Sequence, residues 1–157
     1  MATFQSLQMT NPRYPVSGPG IGGRSIKVER AEVNLATTGA LAVGDVVQLF
    51  KLHPKFRVTG GFVKVTGGAG TSVTAIVGDT GGGGAAADDD RYFASASIAA
   101  AGINTTMAAT GLDFLTSPNT RGGAGQYTTV TMTIAGATTN ATGVIVVELF
   151  GYVEEPA

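Results

Sequence analysis

From residue 26 onward the chain is cut into short runs of Val, Ile, Thr and Phe, many alternating apolar with polar, and closed by Gly, Asn, Asp or Pro. Alternation with period two gives each run one apolar face, which suits a half-buried strand; a helix would repeat every 3.6 residues. TSVTAIVGD (71–79) sets Val73, Ala75 and Val77 against Thr74 and Ile76. QYTTVTMTIAG (126–136) likewise sets Val130, Met132 and Ile134 against Thr129, Thr131 and Thr133. GDVVQLFKL (44–52) opens on a Gly-Asp turn, and FRVTGGFVKVT (56–66) carries Gly60-Gly61 at its centre, where a bulge or sharp bend is expected.

Two further runs depart from simple alternation. SIKVERAEVNL (25–35) has Ile26 and Val28 on one phase and Ala31, Val33 and Leu35 on the other, which predicts a bulge near Arg30. TGVIVVELFGYVEE (142–155) is apolar on both faces, as a central strand covered on both sides or lying against a neighbour would be. Residues 91–118 include ASASIAAAG, which fits either a short helix or a small-residue strand, and a segment LDFL closed by Pro118; we read this region as two short strands. The sum is seven to eight strands without a long helix. That pattern predicts an all-β chain, a β-sandwich of the jelly-roll kind, over residues 26–157.

Residues 1–25 hold Pro12, Pro15, Pro19, Gly18, Gly20, Gly22 and Gly23 and sustain neither helical nor strand period, so they read as an extended N-terminal arm. Fully extended it would reach roughly 80 Å, far more than a connection within a small domain needs. A disordered terminus is the alternative. The N-terminus lacks the basic start and apolar core of a secretion signal, and no apolar run approaches membrane-spanning length, so the chain is expected to be made in the cytosol and to engage no membrane. Asn104-Thr105-Thr106 and Asn140-Ala141-Thr142 match glycosylation sequons, but threonine-rich sequence produces such triplets by chance.

GDTGGGGAAADDDRYF (78–93) is the stretch most suggestive of chemistry. A phosphate loop needs a Lys followed by Ser or Thr after its glycines; here the glycines run into alanines and then carboxylates, which repel phosphate. Asp79, Asp88, Asp89 and Asp90 supply hard oxygen ligands for calcium. The alternating ligand spacing of an EF-hand is missing, however, and consecutive residues of an extended chain point to opposite sides. We therefore expect a solvated surface loop.

With no Cys and a single His, thiolate and multi-histidine metal sites are excluded within one chain. His53 precedes Pro54 between basic residues, which marks a turn, and no carboxylate pair for acid–base work with Asp113, Glu148, Glu154 or Glu155 follows from spacing. A net charge of −1 argues against a nucleic-acid partner. No catalytic, cofactor-binding or metal-binding residue is therefore assigned, and the chain is not expected to be an enzyme. One charge feature remains: Lys51, His53, Lys55, Arg57 and Lys64 form a basic stretch without acidic residues, whereas Asp79, Asp88–Asp90, Glu154 and Glu155 form acidic groups elsewhere. Such patches suit docking onto a partner or onto copies of the same chain.

The order GDVVQLFKLHPKFRVTGGFVKV, TSVTAIVGD, DDDRYFASASIAAAG and a terminal VIVVELFGYVEE resembles that of small capsid decoration (cement) proteins of tailed bacteriophages, over residues 44–153. The GGGGAAA insertion before the Asp-Arg segment departs from that pattern. The resemblance implies a β-sandwich or jelly-roll subunit that self-associates as a trimer on the outside of the virion capsid, with the major capsid protein as partner and no cofactor. Phe4, Leu7, Tyr14, Val16 and Ile21 of the arm are then expected as apolar anchors, with Arg13, Arg24, Lys51, Lys55 and Arg57 as the charged rim. The alternative is a carbohydrate- or receptor-binding module of a phage tail or fibre, for which Tyr92, Phe93, Tyr127 and Tyr152 are the available aromatics.

Overall fold

The computed structural model describes residues 3–5, 26–53, 56–81, 86–108 and 127–153. In chain order the elements are β1 (Thr3–Gln5), β2 (Lys27–Asn34), a single helical turn α1 (Leu35–Thr38), β3 (Val46–Leu52), β4 (Phe56–Thr66), β5 (Thr74–Asp79), β6 (Asp88–Ser97), β7 (Gly102–Asn104), β8 (Thr128–Ala135) and β9 (Val144–Val153). They form a five-stranded sheet in the order β1-β3-β8-β5-β6 and a four-stranded sheet in the order β2-β9-β4-β7.

The pairing has one rule. β2 pairs with β9, β3 with β8, β4 with β7 and β5 with β6, all antiparallel, so the strands nest as one long two-stranded ribbon closed at the β5–β6 connection. Wrapping that ribbon brings β9 beside β4 and β8 beside β5. This is the eight-stranded jelly roll expected from the strand pattern. β1 lies outside the scheme: it pairs in parallel with β3 at the sheet edge, Thr3 opposite Val46 and Gln5 opposite Gln48. The sequence reading found no strand in residues 1–25, because three residues are too few to show a period.

The core lies between the sheets. Val33, Val47, Leu49, Val63, Val77, Phe93, Met132 and Leu149 are among the residues closed off from solvent there. Val73, Ala75 and Val77 point inward on β5 and Val130, Met132 and Ile134 on β8, as the alternation predicts. β9 runs between β2 and β4, with Ile145, Val147 and Leu149 turned into the core and Val146 and Phe150 on the outer side of the sheet. The β4–β9 register shifts between Val58 and Gly60, so the bulge expected at the glycine pair is present.

Two expectations are corrected. β2 keeps an unbroken register with β9 from Lys27 to Asn34, so there is no bulge near Arg30; Ile26 and Val28 are simply exposed, at 77% and 53%, on the face away from the core. The strand expected in the alanine-rich segment is present as the end of β6, which runs to Ser97; Ala96 and, just beyond the strand, Ile98 pack into the core, and tertiary burial outweighs alanine's helical preference. Asp88–Asp90 belong to β6 and not to the loop before it. Residues 109–118, including the expected LDFL segment, lie outside the described residues.

Candidate interaction surface

The outer faces of the two sheets differ in kind. On the five-stranded sheet the register places Gln48 beside Thr131, Thr133 between Val46 and Ile76, Lys51 beside Thr129, and Thr74 beside Ser97. Hydroxyls, an amide and an ammonium dominate it, with Val46 and Ile76 half-buried between them. Such a face is at ease in water.

The outer face of the four-stranded sheet is built differently. Cross-strand partners share a face, so one row holds Val28, Phe150 and Gly60, the next Arg30, Glu148 and Phe62, and the third Glu32, Val146, Lys64 and Ile103. The Phe150 ring lies over Gly60, where no Cβ intervenes, and packs against Phe62 with ring centroids 5.7 Å apart. Val146 is only 5% exposed yet stands apart from the sandwich core, so the outer side chains themselves cover it. Val28 and, at 61%, Ile103 stay open to solvent at opposite margins. Arg30 ties the surface together through Glu148 at 3.2 Å and Glu32 at 3.5 Å. An aromatic pair, exposed aliphatics and an ion cluster centred on half-buried Glu148 make the composition of a protein–protein contact.

The sequence reading missed Val28, Phe62, Ile103 and Phe150. The signal was present in the off-phase Ile26 and Val28 and in the doubly apolar β9, but it was spent on a bulge and on central-strand status.

The stretch around the glycine run resolves into a polar staple. Asp79 ends β5, and its side chain is 2% exposed. Its Oδ2 accepts from the Tyr92 hydroxyl at 2.8 Å and stands 2.9 Å from Arg91 Nε, an ion pair rather than an aligned hydrogen bond; Oδ1 accepts from Gly81 N–H at 3.0 Å. Arg91 then donates from Nη2 to Ala86 O at 2.8 Å and approaches Asp88 at 3.7 Å. One buried carboxylate and one guanidinium thus hold both flanks of the β5–β6 connection. The expectation that Asp79 belongs to a solvated acidic patch is corrected.

Asp88, Asp89 and Asp90 do not diverge as extended chain would. The β5–β6 register is irregular between Val77 and Asp79, and the three carboxylates lie within 4.8 Å of one another. Giving one oxygen each, half-buried Asp88 and exposed Asp89 and Asp90 supply at most half of the six to eight oxygens calcium takes, so the cluster alone makes no metal site. Its electrostatics are still measurable. The Asp88 side-chain hydrogen bond raises the Asp90 pKa above the ordinary 3.8, and desolvation and the like charges of Asp88 and Asp89 add to it. The folded state therefore holds the proton more tightly than the unfolded chain, and this group's contribution to stability is lost as pH rises through its folded pKa. In a carboxyl NMR titration Asp90 is expected to inflect above the ordinary aspartate range and to fall back in Asp88→Asn; an unchanged inflection would refute the cause given.

The residues expected at an interface are dispersed. Lys51 is exposed on the five-stranded sheet, and Arg57 is half-buried on β4 opposite Tyr152. Lys64 lies at the far end of β4 on the apolar face, and half-buried His53 stacks edge-on with Tyr127 at 5.9 Å. Lys51 and the Asp88–Asp90 cluster share one end of the five-stranded sheet, β3 and β6 being three strand spacings or about 14 Å apart. The basic and acidic groups therefore do not segregate to opposite poles. The backbone of Phe4 pairs with Val47. Leu7, Arg13, Tyr14, Val16, Ile21, Arg24 and Lys55 lie outside the described residues, as do Asp113, Glu154 and Glu155. No helix among the described residues is long and apolar enough to cross a membrane.

No protein-family model and no curated sequence matches the chain. Two solved structures share its fold. A chain in the capsid of Ralstonia phage GP4 superposes with a TM-score of 0.71 at 22% identity, covering 99% of this chain and 100% of its own. A chain in the capsid asymmetric unit of cyanophage Pam1 gives 0.62 at 25% identity, over 92% of this chain and 96% of its own. From end to end, this chain has the fold of components found in two phage capsids.

Proposed function

We propose that this chain is a non-enzymatic virion structural protein that decorates and cements the outside of a phage capsid. Its partners are copies of itself, in a trimer, and the major capsid protein of the shell. The observation that carries the reading is the end-to-end likeness to capsid chains: both neighbours are matched over nearly their whole length. The apolar outer face of the four-stranded sheet supplies an attachment surface. Covering it would remove Val28, Ile103 and the Phe62–Phe150 pair from water, and apolar burial is worth about 25 cal/mol per Å². Residues 1–25 form the arm in this reading, and Phe4, Leu7, Tyr14, Val16 and Ile21 anchor it on a neighbour, with Arg13, Arg24, Lys51, Lys55 and Arg57 at the rim. Contacts repeated over a symmetric shell gain strength through avidity.

The test is attachment to isolated heads that lack the protein, with occupancy and position read by cryo-electron microscopy. Wild-type protein is expected outside the shell at saturating occupancy; density within the shell lattice or its interior would sink the reading. Val28→Asp combined with Ile103→Asp should fold normally, because both side chains already face solvent. It should weaken attachment by about 30-fold or more, the equivalent of about 2 kcal/mol, since each variant side chain would bury an unpaired carboxylate in the contact. Full occupancy by the double variant would exclude this face.

A further inference from the structure

β1 is the one strand the jelly roll does not need. The ribbon formed by the β2–β9, β3–β8, β4–β7 and β5–β6 pairs is complete without it, and among the described residues three in parallel register bind it to β3. Without β1, however, the edge of β3 would present unpaired N–H and C=O groups, a template for another chain.

The length of chain that follows β1 is the second observation. Gln5 lies beside Gln48 on β3, and β2 begins at Lys27 on the facing sheet, with β2 packed across from β3. Packed sheets are about 10 Å apart and β2 is about 25 Å long, so a direct connection needs no more than about 30 Å. Residues 6–26 supply 21 residues with a contour of about 70 Å. That surplus is what a strand needs to leave its own domain, and the β3 edge of any copy accepts Thr3–Gln5 through the same register and the same bonds.

We infer that β1 is exchanged in the assembled protein: residues 3–5 of each copy complete the β3 edge of a neighbouring copy. The inference rests on the self-association in the function proposed above and gives it an atomic form. Exchange changes no contact at the edge itself, so the balance between own and neighbouring edge is set by effective concentration, which is high where copies are held side by side. Passed around a closed ring, each arm would tie its copy to the next.

The chain has no cysteine, so introduced thiols report without background. Thr3 and Val46 are direct register partners, and strands about 4.8 Å apart fall within disulfide reach. One chain carries Thr3→Cys, and a second, lengthened by a tag, carries Val46→Cys; the two are co-assembled on heads, oxidised and run on a non-reducing gel. Exchange predicts a mixed dimer of its own mobility, and the two substitutions on one chain should then yield linked multimers in at least tenfold excess over an internally closed monomer. An internally closed monomer without mixed dimer, or no disulfide in either format, overturns the inference. Gln5→Cys with Gln48→Cys repeats the test should Val46→Cys impair folding. Occupancy on the heads, read from the same samples, reports separately on the decoration function. If the protein does not attach, the gel is read on the free protein, where a purely monomeric chain also overturns exchange.

Discussion

Asp79→Ala is expected to destabilise the protein by about 3–5 kcal/mol, the range for removing one partner of a buried ion pair. The Asp79 and Arg91 side chains are only 2% and 12% exposed, so the guanidinium would keep Asp88, at 3.7 Å, while losing the 2.9 Å contact. The Tyr92 hydroxyl and Gly81 N–H would lose their acceptors at the same time. For a domain of this length the loss corresponds to a melting temperature lower by about 10 °C. Asp79→Asn keeps an oxygen for Gly81 and should fall between wild type and Ala. Tyr92→Phe removes one hydrogen bond to the charged Asp79 carboxylate and should cost about 2 kcal/mol. Thermal melts within about 2 °C of wild type for Asp79→Ala would show that the staple orders the connection without stabilising the sandwich.

The second large effect comes from a glycine. Gly151 sits on β9 between Lys27 of β2 and Val58 of β4, and a Cβ there would run into the Arg57 carbonyl oxygen and come within 2.6 Å of the Phe56 ring. Backbone cannot rotate away as a side chain can, so Gly151→Ala should cost about 3 kcal/mol, the upper end of ordinary overpacking. Gly60→Ala is the internal control. Its Cβ would meet only Phe150 Cδ2 at 3.5 Å, an ordinary contact, and its effect should be small. Chemical denaturation of the two variants gives the comparison directly. If Gly60→Ala proved the more damaging, the bulge at that position would be more constrained than its surroundings indicate.

Both effects turn on how far local pattern reaches. The alternation in TSVTAIVGD and in QYTTVTMTIAG was legible because burial on one face of a strand acts residue by residue, and the inward sets Val73, Ala75, Val77 and Val130, Met132, Ile134 are those buried. The glycine pair at 60–61 announced a bulge for an equally local reason. Charge did not behave that way. Asp79 and Asp88 look alike in the sequence, yet one is buried against Arg91 and Tyr92 and the other borders solvent, because what a carboxylate meets depends on which strand lies beside it. Ile26 and Val28 pose the same difficulty. An off-phase apolar pair is compatible with a kinked strand or with a strand whose outer face is also apolar, and only the unbroken β2–β9 register distinguishes them.

The sequence by itself determined that this protein is all-β, where most of its strands lie and which of their faces turn inward, since these follow from the period of the side chains along each run. Tertiary structure decided the rest: the nested pairing that makes the jelly roll, the attachment of Thr3–Gln5 to β3, and the gathering of Val28, Phe62, Ile103 and Phe150 from four strands onto one surface. The physical reason is separation along the chain. A strand's own period is written within a few residues, whereas a surface shared by β2, β4, β7 and β9 exists only once the ribbon has folded over and set residues more than a hundred positions apart side by side.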